Sequence, residues 1–177
     1  MTAGETRAYL ASPLGFAAST TAFMAELKAA LGDLVVVENP WDFGGPELSA
    51  AFARAHALFR HDERRAALHA LNSRIAAKNE GAIRRCDLVV AVLDGVDVDS
   101  GTASEIGFAF GLGKPSLGLR TDSHLAGDNL GSTVNLQVEY WIEASGGRIV
   151  ASTAALVEAL RDWLDERARR GQQPAAR

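Results

Sequence analysis

The stretch Leu88-Val89-Val90-Ala91-Val92-Leu93, followed directly by Asp94-Gly95-Val96-Asp97-Val98-Asp99-Ser100-Gly101-Thr102-Ala103-Ser104-Glu105-Ile106-Gly107, decides how the chain is read. The first six residues form an apolar run of strand length and composition. The acidic, glycine-containing turn after it leads into a helix pattern. Carboxylates gathered at the carboxyl end of a strand mark a site, because open α/β sheets place their ligands there.

Working outward, Arg7 to Ser12 reads as a first strand, stopped by Pro13. Ser19 or Thr20 is placed to cap a helix whose apolar positions Phe23, Leu27, Ala30 and Leu31 share one face. Gly32 ends it. Leu34 to Val37 is a second, continuously apolar strand, as in buried parallel sheets. Asn39 to Pro46 is a loop of breakers and aromatics. Glu47 to about Ile83 has a helical, Ala-rich pattern with a break near Arg60-His61-Asp62. Leu88–Leu93 is the third strand, Thr102–Leu112 a helix, Ser116–Arg120 a fourth strand. A polar loop over 121–134 precedes a helix over Leu136–Ala144 and a short fifth strand over Arg148–Val150. A last helix carries Leu156, Leu160, Trp163 and Leu164 on one face. Residues 1–6 read as a loose leader and 172–177 as a disordered tail.

Strands alternating with helices imply βαβ units, a parallel sheet and right-handed crossovers. The expectation is a flavodoxin-like three-layer α/β/α sandwich on a five-stranded parallel sheet, in one domain over 1–171.

The 177 residues suffice for one domain with a real core. A hydrophobic fraction of 47% and a net charge of -4 describe an ordinary protein with no electrostatic call for nucleic acid. Arg64-Arg65, Arg84-Arg85 and Arg169-Arg170 are isolated pairs on solvated helix faces. The lone Cys86 suits a reducing compartment and reads as a small core residue. No run approaches a membrane span and no signal pattern opens the chain, so a cytoplasmic location is expected.

Familiar motifs fail. Gly111-Leu112-Gly113-Lys114-Pro115-Ser116 has Pro where a phosphate loop needs Ser or Thr, and it lacks the strand context of a dinucleotide fingerprint. His56, His61, His69 and His124 have no metal spacing. There is no Gly-x-Ser-x-Gly elbow.

The acidic turn itself admits several readings. Thr102-Ala103-Ser104-Glu105 has the form of a capping box, with Thr102 as cap and Glu105 reaching back to it. Asp94, Asp97 and Asp99 read as a solvated loop or a divalent-cation site. Alternatively, Glu105 in the first turn of a helix would be held ionised by the positive helix end. An ionised carboxylate is a competent nucleophile toward an anomeric carbon. A neighbouring Asp99 would then hold the leaving group's proton.

The order Tyr9-Leu10-Ala11-Ser12-Pro13-Leu14, Asn79 with Ile83 and Cys86-Asp87, Asp94-Gly95, Asp99 to Gly107, Gly113-Lys114-Pro115 and Val134-Asn135-Leu136 resembles the nucleoside 2-deoxyribosyltransferases, over roughly residues 7–150. The Asp-x-Gly-Thr-x-x-Glu-x-Gly block is its specific part.

The resemblance implies flavodoxin-like enzymes that cleave the N-glycosidic bond of a 2'-deoxynucleoside and pass the sugar to another nucleobase, without metal or organic cofactor. Glu105 matches the nucleophile, giving net retention by double displacement. Tyr9, at the end of the first strand, matches the tyrosine that orients it. Asp99 matches a carboxylate that binds base or sugar and assists proton transfer. Gly101 belongs to the same block. Asn135 matches an asparagine that reaches a neighbouring subunit's site to hold the sugar 5'-hydroxyl; as a residue alone it reads as a helix cap. Leu14, Phe16 and Trp41 are candidate walls of the base pocket, with core packing as the other reading of each. Asp94 either contacts the sugar or shapes the loop.

Asn79 stands where some family members carry a proton-handling aspartate. An amide can hydrogen-bond a base but exchanges no proton. The implied partners are 2'-deoxynucleosides, free nucleobases and further copies of the chain, as dimer or hexamer. The main alternative is a hydrolase of the same family, acting on nucleosides or nucleoside monophosphates. The apolar Ser12-Pro13-Leu14-Gly15-Phe16 loop favours nucleosides, while Ser19 and Thr20 keep a phosphate in play. A nucleotide-sensing domain without turnover and an FMN-binding flavodoxin are the remaining readings. Retention of both Tyr9 and Glu105 opposes the first, and the lack of a Ser/Thr-rich phosphate loop opposes the second.

Overall fold

The computed structural model describes residues 5–172. Five parallel strands are ordered β2-β1-β3-β4-β5: β1 Arg7–Ala11, β2 Val36–Glu38, β3 Leu88–Val92, β4 Ser116–Leu119 and β5 Ile149–Val150. Six helices connect and follow them: α1 Thr21–Gly32, α2 Gly45–His56, α3 His61–Arg85, α4 Ser100–Gly111, α5 Leu136–Ala144 and α6 Thr153–Gln172. This is the flavodoxin-like fold. Gln172, expected to open the tail, is instead the last residue of α6; the rest of the expected tail, 173–177, and residues 1–4 of the expected leader lie outside the described residues.

Alternation along the strands sorts the side chains into two cores. Ala8, Leu10, Val90 and Leu119 face α1 and α6, packing on Leu27, Leu31, Leu156 and Leu160. Tyr9, Ala11, Val89 and Ala91 face the other way, onto Ile83, Ile106 and Ile142 of α3, α4 and α5. β3 is wholly buried, as its uninterrupted apolar run requires.

β1 and β3 are adjacent, with parallel register Tyr9↔Val89 and Leu10↔Val90. The chain leaves β1 toward α1 on one face and leaves β3 toward α4 on the other. The two connections diverge and open a crevice beyond the carboxyl ends of these strands, the switch point of this topology.

Several element boundaries differ from expectation. β2 begins at Val36, because Leu34 and Val35 close the α1 turn through their backbone N–H groups to Leu31. Gly45 and Pro46 belong to the first turn of α2, where Pro needs no N–H partner. The helix break falls at residues 57–60, just before the expected site. Thr20 holds the cap position of α1, yet its hydroxyl turns back to the Leu14 and Ala17 carbonyls.

Candidate active site

α4 starts two residues earlier than its pattern suggests. Asp99, not Thr102, is its cap: Oδ2 accepts from Thr102 N at 2.9 Å and from the Thr102 hydroxyl at 3.3 Å. Thr102 is buried at the third helical position. The capping-box reading is therefore overturned. Glu105 sits one turn too far along to reach the cap, past the free N–H groups of the helix end. The expectation that it lies in the first turn, under the full helix dipole, falls with it.

Glu105 instead turns toward the sheet. Its Oε1 accepts the Tyr9 hydroxyl at 2.5 Å, across 96 residues of sequence. Tyr9 stands in the middle of β1 rather than at its end, fully buried, and the length of its ring carries the hydroxyl to α4. Burial raises the Glu105 carboxyl above the ordinary range. The Tyr9 hydroxyl and the Asn79 amide act against that rise, while the neighbouring Asp99 charge adds to it. Tyr9 is pushed well above the usual phenol range, first by burial and then by the Glu105 charge, so it remains a donor.

Above this pair lies a cavity of about 760 Å³. It brings together Glu105, Asp99, Gly101, Asn79, Phe16 and Trp41 of the expected site. Asn79 Oδ1 is buried without a hydrogen-bond partner. Such an orphan acceptor costs about 1–3 kcal/mol. A Cβ on Gly101 would stand 3.0 Å from Asp99 Oδ2, so glycine here leaves the cap carboxylate its room. At the mouth, Trp41 Nε1 donates to Ser12 O at 3.0 Å and Phe16 meets the indole edge-on at 4.5 Å. Gly15 lets the indole lie against the loop; a Cβ would come within 2.0 Å of the ring. Phe16 is 81% exposed and Trp41 40%, an apolar rim open to water.

Three expected residues lie elsewhere. Leu14 packs against the core beneath α1, not in the cavity wall. Asp94 accepts Thr121 N, Thr121 Oγ1 and Asp122 N at 2.6, 2.6 and 3.0 Å, so it shapes the β4 loop, and it does not line the cavity. Asn135 caps α5, accepting Gln137 N at 3.0 Å, and is absent from the lining of its own chain's cavity. Nor do the aspartates of the turn converge: Asp97 accepts Val98 N beside it, and among the described residues no three His, Cys, Asp or Glu side chains group as metal ligands do. Cys86 is buried, its thiol pushed up to about 12 chiefly by burial, which fits a core residue.

The sequence reading missed the far wall. Phe43, Leu48, Phe52, Asn72, Ile75 and Lys78 also line the cavity. The signal was the spacing of Asn72, Ile75 and Asn79 on α3, one helical stripe hidden within an Ala-rich stretch.

Topology and crevice together define a flavodoxin-like α/β protein with a carboxylate site at its switch point. The chain belongs to the nucleoside 2-deoxyribosyltransferase family, whose model matches residues 8–137. That membership makes it an enzyme acting on nucleosides.

Among solved structures, a conserved protein from Enterococcus faecalis V583 aligns at 24% identity and TM-score 0.64, over 89% of this chain and 98% of that one. A CMP N-glycosidase from Clostridium botulinum aligns at 18% identity and TM-score 0.51, over 88% and 99%. A 2-deoxyribosyltransferase from Bacillus psychrosaccharolyticus aligns at 21% identity and TM-score 0.48, over 85% and 96%. No curated protein sequence matches. Among the described residues no helix is long and apolar enough to cross a membrane.

Proposed function

We propose that the protein is a nucleoside 2-deoxyribosyltransferase that moves deoxyribose between nucleobases through a covalent ester on Glu105. The observation that carries this reading is the hydrogen-bonded pair of buried Tyr9 and half-buried Glu105 at the floor of the cavity, flanked by Asp99 and Asn79.

A Glu105 oxygen attacks the anomeric carbon as the bond to the base nitrogen breaks. The bonding electron pair leaves on the base, which takes a proton through Asp99. An acceptor base then attacks the anomeric carbon of that ester from the face the first base left, its proton passes to Asp99, and Glu105 departs as carboxylate. Two inversions give retention. Burial makes Glu105 a less solvated and hence stronger nucleophile, while the Tyr9 hydrogen bond keeps it oriented. Asn79, in the cavity lining, hydrogen-bonds the base through its amide. Asn135 serves a neighbouring copy, which makes the working form at least a dimer.

The test is incubation with a 2'-deoxynucleoside, with and without a free acceptor base, followed by chromatography. Exchange that requires the acceptor is the expected result. Absence of turnover with any nucleoside or its monophosphate would end the enzyme reading.

Hydrolysis of the same intermediate is the second reading, favoured by the open rim at Phe16, through which water reaches the ester. It would appear as free deoxyribose without need of an acceptor. A monophosphate substrate finds less support at the first loop. Ser12 Oγ donates to Met24 Sδ and accepts from Leu14 N, and the Thr20 hydroxyl is taken up by two carbonyls.

Tyr9→Phe removes a hydrogen bond that favours the Glu105 anion. The carboxyl then titrates at still higher pH, so the acidic limb of the kcat/KM profile moves upward. The plateau is expected to fall by about ten-fold, a loss of one charge-assisted hydrogen bond. A limb left in place would show that Tyr9 does not set the nucleophile's ionisation.

A further inference from the structure

The cavity extends well beyond the reacting groups. Asn79 is the α3 residue beside Glu105, while Ile75 and Asn72 lie roughly 6 and 10 Å further along the helix axis. α2 supplies the facing wall with Leu48 and Phe52. The two ends differ in chemistry. Asp99, Thr102, Asn79 and Glu105 crowd the near end, where a sugar finds partners for its hydroxyls. The far end presents Leu48, Phe52 and Ile75, all half-buried side chains lining empty space, with the exposed Ser49 and Asn72 as its polar members.

The lone cation of the cavity lining, Lys78, is drawn aside to the Phe43 carbonyl at 3.2 Å. A phosphate or carboxylate would therefore gain little in the far end. An apolar group would gain much, since it would remove those side chains from water.

We propose that this far end is a second chamber, and that it selects nucleobases carrying an apolar substituent on the edge opposite the glycosidic nitrogen, in particular N6-alkyl or N6-aryl purines. The inference rests on the glycosyl-transfer reading for its orientation: with the anomeric carbon at Glu105, the base runs along α3 from Asn79. A purine's 6-position lies across both rings from N9, so its substituent is directed to Ile75 and Leu48. Asn79 then meets the base itself and the chamber meets the substituent. Specificity follows from filling space rather than from further hydrogen bonds. A hydrophobic pocket of this kind discriminates by about 10–200-fold for a change of a methylene or so.

The experiment is calorimetric titration with adenine and with N6-benzyladenine, alongside the exchange assay with each as acceptor. The expected result is at least ten-fold tighter binding of N6-benzyladenine, mirrored in its KM as acceptor. Ile75→Trp, and separately Leu48→Trp on the facing wall, fill the chamber and should reverse that ratio. Circular dichroism identifies which variants fold, and the wild-type comparison stands without them. Equal or weaker binding of the benzyl base, as when a second copy's side chain occupies the chamber, overturns the proposal even if adenine is exchanged. A ratio unchanged in a folded variant also overturns it. Tight, substituent-dependent binding with no exchange of either base sinks the transfer reading instead and leaves the chamber standing.

Discussion

Glu105→Ala is expected to lower kcat/KM by on the order of 10⁴-fold or more for both transfer and hydrolysis, because on the proposed mechanism each passes through the same ester. Glu105→Gln should be equally inactive, since an amide supplies no anionic oxygen. The companion expectation is thermodynamic. Burial raises the Glu105 carboxyl above its ordinary value, so its ionisation opposes folding. The sign is that of a raised pKa: the contribution to stability is fully present below the unfolded value and is lost as pH rises through the folded one. Glu105→Gln should therefore melt higher than the wild type at pH 7 to 8, and the gap should close on acidification below about pH 4. Stability traded against activity in this way marks a functional carboxylate. Melting curves across pH, together with turnover assays, check both halves. An active alanine variant would leave the residue only a packing role.

Asp99 has two duties that one pair of substitutions separates. As the α4 cap it accepts Thr102 N and the Thr102 hydroxyl through Oδ2. As a cavity wall it is placed, on the proposed mechanism, to meet the leaving base. Asn caps as well as Asp, but exchanges no proton. Asp99→Asn should hold its melting temperature and lose about 10²–10⁴-fold in kcat, the worth of general acid help. Asp99→Ala should lose that and in addition about 1 kcal/mol of stability. Nucleosides whose bases leave readily without protonation should suffer least in the asparagine variant. Equal activity of wild type and Asp99→Asn would remove Asp99 from proton transfer and leave it a helix cap.

The sheet was legible because its strands are short apolar runs bounded by breakers, and the helix over Leu136–Ala144 because Asn135 announces it. Boundaries slipped where two signals overlapped. Asp99 and Thr102 are both good caps, and the buried hydroxyl of Thr102 could not be told from an exposed one in sequence. That single slip moved Glu105 from the second turn to the first and put it under the wrong electrostatic influence. Glu105 was named from the acidic turn and again by resemblance, Tyr9 by resemblance alone; their contact is a product of strand register and helix placement that no local pattern encodes. For Leu14 and Asp94 the sequence left two readings open, and the structure takes the second of each. Leu14 follows its apolarity into the core, and Asp94 spends its oxygens on Thr121 and Asp122. The far wall stayed unseen because the Ala-rich pattern over 47–83, though its break was expected, does not show which faces meet, and only the folding of α2 against α3 turns Leu48, Phe52 and Ile75 into a surface.

α2 contributes one buried residue, Ala55, and packs chiefly on α3. Loosening it exposes little apolar area, so local opening of this helix lies at the low end of the chain's stability scale, far below that of the sheet. The molecule is thus divided by mechanical stiffness. The half that must keep Tyr9 in register with Glu105 is clamped from both faces, and the half that must admit a guest can breathe without disturbing it.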